Sequence, residues 1–314
     1  MGHGHGHGHG HAAGRAADRR RLRWVLGVTG VVLLAEVLGA WITGSLALLA
    51  DAGHMATDAG AVVLALGASY LAARPGGRGS TFGYHRAEVV AAGVNGLVLL
   101  VVCAYIAVAA VGRLGDPPEV EGLPLIGFAS IGLAANVVSL LILRRADSGS
   151  LNIRGAFNEV LADALGSVLA VVVGVVVWLW GWYLIDPLAS LVIAAMILPR
   201  ALVLIRDVGR VLLEIAPADL DVDEVRHHLL HAPGVVEVHD LHAWTITSGM
   251  ASLSAHVTVT DAALAERGVG AILDDLGACV ADHFDVRHTT FQVEPESHRD
   301  HEDLGALHEA APER

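Results

Sequence analysis

The chain has 314 residues, 54% of them hydrophobic and only 17% charged, which excludes a wholly soluble protein of ordinary composition. Its net charge of −13 is unevenly placed, because 21 acidic residues against 6 arginines lie from Asp207 onward. That imbalance argues against nucleic acid as a partner and for an acidic region that attracts cations.

Residues 1–21 open with His3, His5, His7, His9 and His11 alternating with glycine. A tract of this kind cannot pack a core and reads as a His-rich cytoplasmic tail that holds metal loosely, or as an expression tag. No cleavable signal peptide is visible, since the polar start is followed by an apolar run long enough to stay in a membrane.

Six runs reach the length of about 20 apolar residues that a span needs, at 24–44, 46–72, 88–112, 122–143, 156–180 and 184–206. Arg15, Arg19, Arg20, Arg21 and Arg23 precede the first. Arg74, Arg78 and Arg86 follow the second, and Arg144, Arg145 and Arg154 follow the fourth. The opposite connections carry only Arg113 beside Asp116, Glu119 and Glu121. The positive-inside rule then puts both termini in the cytoplasm and Trp178, Trp180, Trp182 and Tyr183 at the outer interface.

Two of these runs carry ionisable side chains. His54 and Asp58 are four apart on the second span, and Glu159 and Asp163 are four apart on the fifth, so each pair shares one helix face. Such groups cost roughly 2.5–3.5 kcal/mol each at mid-bilayer depth and persist mainly where a pathway or ligand uses them. Interhelical hydrogen bonding alone is the simpler explanation, but two spaced pairs exceed what gluing helices requires. Facing each other, they make a four-ligand site for a divalent cation. Metal must displace protons from these groups, so the same lone pairs hold either species, which is the minimum a proton-coupled antiporter needs. Asp51, three before His54, reads as a polar group near the outer mouth, with a place facing the site as the other reading; Glu36, Asn95 and Asn136 read as structural hydrogen bonders, with the access path as the other reading.

From Asp207 the pattern becomes that of a compact domain. Asp219–His231 has helical spacing with Val222, Val225 and Leu229 as its stripe. Val235–Thr247 and Ala251–Thr260 alternate as strands about a Ser248-Gly249 turn. Ala262–Phe284 reads as a helix and Val286–Val293 as a strand, giving an αββαβ order that suits a small α+β sandwich. His227, His228 and His231 share a helix and read as facing water. Residues 297–314 are polar and read as a disordered acidic, His-bearing tail. Cys103 and Cys279 show no Cys-x-x-Cys spacing, so neither a disulfide framework nor a thiolate metal site is expected.

The segments Ser45–Met55 through Asp58, Phe82–Glu88, Val160–Ser167 and His239–Trp244 together resemble the cation diffusion facilitator family of zinc transporters over about residues 20–295. The resemblance implies a polytopic α-helical membrane protein with six transmembrane helices (22–207) plus a C-terminal α+β, ferredoxin-like and metallochaperone-like cytoplasmic domain (208–296). It implies a homodimer in a bacterial cell membrane that exports Zn²⁺ in exchange for protons, with His54, Asp58, Glu159 and Asp163 as the transport site. By analogy with the family, His239, His256 and Glu294 align with a cytoplasmic regulatory metal site, with His242 and His288 nearby and Gln292 where some relatives have a ligand. It also suggests a charge contact between Arg86 and Asp207.

Two departures matter. Glu159 stands where zinc members usually have histidine, leaving one nitrogen and three carboxylates, a harder set that keeps Cd²⁺, Co²⁺, Fe²⁺ and Mn²⁺ as alternatives to Zn²⁺. Ser80 and Tyr84 replace ligands of a loop site, leaving only His85. No prosthetic group is implied. The competing functions are a membrane-anchored metal sensor or buffer without transport, and a metalloenzyme. His54-Met55-Ala56-Thr57-Asp58 lacks the glutamate beside the first histidine that would activate a metal-bound water, which argues against an enzyme.

Overall fold

The computed structural model describes residues 27–144 and 151–301. The chain divides into two compact units, one of residues up to 67 with 91–205, the other of 68–90 with 206 onward.

The first unit is helical. It is built from α1 (Gly27–Thr43), α2 (Leu46–Ala72), α3 (Ala87–Arg113), α4 (Gly122–Arg144), α5 (Leu151–Trp180) and α6 (Ile185–Leu212). The five helices α2–α6 are long and apolar enough to cross a membrane, and α1 is a shorter apolar helix over the residues described. Their outward faces carry Val31, Leu34, Trp41, Val101 and Val108, all exposed. Their interior sets large aliphatic side chains such as Leu48, Leu99 and Leu125 among small ones, with Ala47, Ala110, Ala129, Ala170 and Ala201 fully buried. The small residues are where helix backbones approach. Gly122 and Gly174 show why: a Cβ on Gly122 would stand 2.8 Å from the Gly174 carbonyl oxygen, so α4 and α5 meet there only as glycines.

Asp186, at the start of α6 and fully buried, anchors α2. Its carboxylate accepts from the backbone N–H groups of Leu46 at 2.8 Å and Ala47 at 3.1 Å and from the Ser45 hydroxyl at 2.5 Å. These are orphan donors of a helix N-terminus, and a buried carboxylate satisfies them and the dipole together. Arg113 Nη1 stands 3.7 Å away.

In the second unit α7 (Val222–Leu230), β1 (Val235–Thr247), β2 (Met250–Val259), α8 (Asp261–Phe284) and β3 (His288–Pro295) follow the expected αββαβ order. Asp221 caps α7 by accepting from Asp223 and Glu224 N–H, at 3.0 and 3.2 Å. The sheet order is β1-β2-β3, antiparallel then parallel, with α8 as the crossover the parallel pair requires. Val225 and Leu229 of α7 and Ile272, Leu276 and Val280 of α8 bury against Val238, Leu253, Ala255 and Val257 of the sheet. Gly268, at φ +77°, breaks α8 near its start, so the stripe belongs to the straight part that follows. A 3-10 helix, Glu296–His301, extends order past residue 297, where the sequence pattern suggested a tail. The His/Gly tract and residues 302–314 lie outside the described residues.

Candidate metal centres

On α2, His54 is buried and its Nε2 lies 3.5 Å from Asp58 Oδ2, one turn on, and 3.9 Å from Asp163 Oδ1 of α5. The i, i+4 spacing thus delivers the first pair, and packing of α5 on α2 delivers Asp163. His54 Nδ1 and Asp163 Oδ1 are buried with no hydrogen-bond partner among the described residues. Buried polar atoms are normally satisfied, so such atoms point to a ligand. Glu159, partly buried while its neighbour Asn158 is exposed, reaches Arg200: its Oε1 accepts from Arg200 Nη2 at 3.2 Å. Arg200 Nη1 also donates to Asp58 Oδ2 at 3.3 Å. The structure therefore joins His54 to Asp58 and Asp163, and sets the Glu159 carboxyl beside that of Asp58 with the guanidinium bridging the two. Among the described residues, the groups of three donors within 4.8 Å of one another lie instead in the C-terminal domain.

Arg200 was not legible as part of the site, since its only local signal is the preceding Pro199 inside α6. Proline leaves the Ala195 carbonyl without its helical donor, a break of the kind tolerated where helices line a cavity. A cavity of about 80 Å³ does lie here, lined by Asp51, His54, Ala162, Gly166, Ile193, Met196, Ile197 and Arg200.

Asp51 lies beside His54 rather than near an outer mouth, the less favoured of its two expected places. It is 2% exposed, lines this cavity beside His54, and accepts from Ser167 Oγ at 3.4 Å. Three residues is almost one helical turn, which puts Asp51 on the His54 face. Asn136 Nδ2 donates to the same Ser167 hydroxyl at 3.3 Å, the structural role expected of it. Glu36 is fully buried, its carboxyl set beside that of Asp51.

In the C-terminal domain His239 and His256 stand opposite each other in the β1–β2 register. Glu294 of β3 completes the cluster, its Oε1 3.0 Å from His256 Nδ1 and its Oε2 3.6 Å from His239 Nε2. A register shift between His239 and His242 carries Asp240 at φ +48°, a bulge that brings its Oδ2 within 3.8 Å of His256 Nε2. Gln292 Nε2 donates to Glu294 Oε1 at 2.7 Å and so orients the carboxylate. Two imidazoles and a carboxylate, with His239 and Glu294 buried and His256 partly so, lie within 4.8 Å of one another and fit a Zn²⁺-like dication. His242 sits apart, 2.9 Å from Asp240, and His288 lies edge-on to Phe82.

A second cluster was missed. His228 of α7 is half-buried rather than facing water, and with Cys279 and His283 of α8 it offers three ligand atoms within 4.8 Å. His227 and His231 are exposed, as expected. Cys279 lacked a nearby cysteine in sequence because its neighbours come from two helices. Burial pushes its thiol pKa up, and Asp282 adds to the shift. The expected Arg86–Asp207 contact also takes another form within the chain: Arg86 Nη2 pairs with Glu214 Oε1 at 2.8 Å, and Asp207 with Arg206 at 3.0 Å.

Residues 22–213 match the cation efflux transmembrane domain and residues 217–296 the cytoplasmic domain of cation efflux proteins. The chain belongs to the cation diffusion facilitator family. Among its relatives, the metal cation efflux system protein CzcD of Cupriavidus metallidurans is 41% identical over 294 residues, spanning 94% of this chain and 90% of that one. A cadmium, cobalt and zinc/H⁺–K⁺ antiporter of Bacillus subtilis is 36% identical, covering 86% of this chain and 87% of the relative. The zinc transporter ZitB of Escherichia coli is 36% identical, covering 88% of each. The solved metal-bound C-terminal domain of the Cupriavidus CzcD transporter is 44% identical over 24% of this chain and 99% of that one, with a TM-score of 0.22. This cation diffusion facilitator is accordingly a multi-pass membrane protein that exports divalent metal cations, and not an enzyme. Membership in an efflux family disfavours the anchored sensor or buffer.

Proposed function

We propose that this protein exports Zn²⁺ from the cytoplasm in exchange for protons, by alternating access at a transport site of His54, Asp58, Glu159 and Asp163. The observation that carries the reading is the pair of buried atoms without a hydrogen-bond partner among the described residues, His54 Nδ1 and Asp163 Oδ1, with a cavity against His54 wide enough for an ion and its residual water. In this reading Arg200 is the counter-ion of the empty state. It neutralises Asp58 and Glu159, and an arriving dication takes over both carboxylates as the guanidinium withdraws. Protons and Zn²⁺ then compete for the same lone pairs, and an inward proton gradient drives metal outward. Asp51, on the same cavity wall, and Glu36 behind it are suited to carry protons along the path.

Zn²⁺ is the first choice of cargo because imidazole with carboxylates suits it and relatives named for zinc are similar throughout. The three carboxylates also extend the range toward Cd²⁺, Co²⁺, Fe²⁺ and Mn²⁺. The protein works as a homodimer with both termini cytoplasmic, divided as 1–21, 22–207, 208–296 and 297–314, and His239, His256 and Glu294 hold a regulatory ion. Everted vesicles loaded with a fluorescent Zn²⁺ indicator, with and without an imposed pH gradient, test the coupling. Flux that accelerates with the gradient and collapses on adding a protonophore is expected. Flux indifferent to both would reject antiport.

A further inference from the structure

Away from the transport site and from the β-sheet cluster, α7 and α8 bring a thiol and two imidazoles to one place. Cys279 and His283 are four apart on the straight part of α8, so they share a face. Both flank the buried stripe Ile272, Leu276 and Val280, and His228 adjoins the buried Leu229 of α7. These stripes bury in one core, so the positions of all three donors are set by packing that needs no metal. His283 Nδ1 donates to the Cys279 carbonyl at 2.9 Å, which leaves the free lone pair on Nε2. A ring nitrogen held this way is the usual partner arrangement of a metal-ligating histidine. The His228 ring packs 4.8 Å from that of His283 and 5.1 Å from Phe284, which fixes its plane.

We propose that His228, Cys279 and His283 form a further divalent-metal site of thiolate and two imidazoles, clipping α7 to α8, with water as the fourth ligand. It takes a borderline or soft dication, Zn²⁺ or Cd²⁺, because one sulfur and two nitrogens disfavour the harder ions. Binding replaces the S–H bond by an S–metal bond, and the proton leaves to water. The site goes beyond the transport reading, and its sulfur separates it from the other two clusters, whose donors are nitrogen and oxygen.

The test uses full-length protein in detergent with Cys103→Ser, so that Cys279 is the one thiol. Co²⁺ is the probe, read by the near-ultraviolet thiolate-to-cobalt charge-transfer band. The band is expected to appear, to saturate at one ion per chain, and to be displaced by Zn²⁺. Adding Cys279→Ser should abolish it, and His228→Ala or His283→Ala should weaken Co²⁺ affinity by at least about tenfold. Zn²⁺ should also slow maleimide labelling of Cys279 in the Cys103→Ser protein. No band in protein that is folded by circular dichroism, or equal affinity in His228→Ala, would overturn the site. Metal flux enters none of these readouts, so failure of the transport reading would leave them unchanged.

Discussion

Arg200 stands 3.2 Å from Glu159 and reaches Asp58 with its other nitrogen, so a fixed cation sits among the carboxylates of a cation exporter. Without it the neighbouring Asp58 and Glu159 carboxylates would repel each other. The tethered guanidinium balances both charges, and its half-exposed head keeps each ion pair weak.

Replacing Arg200 by Met removes the internal competitor while keeping most of the aliphatic stem. Two partly exposed ion pairs are each worth about 0.2–1 kcal/mol, so the KM for Zn²⁺ should fall roughly fivefold. Release should slow in step, lowering maximal flux. Initial rates over a Zn²⁺ series check this, and an unchanged or raised KM would remove Arg200 from any competing role.

Glu159→His restores a second nitrogen and withdraws the partner of Arg200. The Zn²⁺/Mn²⁺ ratio of kcat/KM should rise by about tenfold, the discrimination that a change of about 1.4 kcal/mol gives. Competition assays with both ions measure it. An unaltered ratio would reject the argument from ligand hardness.

Gly166 faces Asp51 across the α2–α5 contact so closely that an added Cβ would collide with the Asp51 carboxylate. Gly166→Ala should displace that carboxylate and narrow the cavity at a cost of about 1–3 kcal/mol. Flux at saturating Zn²⁺ should drop by at least about fivefold while the protein remains folded. Gly60→Ala, at a position with open space around it, serves as the control and should transport normally.

Asp186→Ala leaves the amides of Leu46 and Ala47 and the Ser45 hydroxyl without their acceptor in a buried place. The expected loss is about 2–4 kcal/mol, seen as a lower thermal midpoint in detergent, with metal preference unchanged. Asp186→Asn keeps part of the acceptor capacity and should lose less.

The sequence was most readable where a period repeats. Alternation and turn chemistry gave β1 and β2 to within a residue, and spacing of four put His54 beside Asp58. Burial depth and partners distant in sequence were not readable. Spacing alone left Asp51 open between the mouth and the site, because nothing nearby says that Ser167, 116 positions on, turns toward it. Arg200 lies 142 residues from Asp58 and Asp186 140 from Leu46, and each acts by charge across a helix interface that no local pattern encodes. His228 looked solvent-facing because its flank of α7 is covered only by α8, and the direction of that cover belongs to the tertiary packing.

Zn²⁺ flux into pH-gradient proteoliposomes bearing Asp163→Ala, beside wild type reconstituted at equal amount, bears most directly on the converging faces of α2 and α5. Flux at the protein-free background from folded Asp163→Ala protein is the predicted result. Wild-type-like flux would contradict the account, because the cargo would then cross without the carboxylate that faces His54.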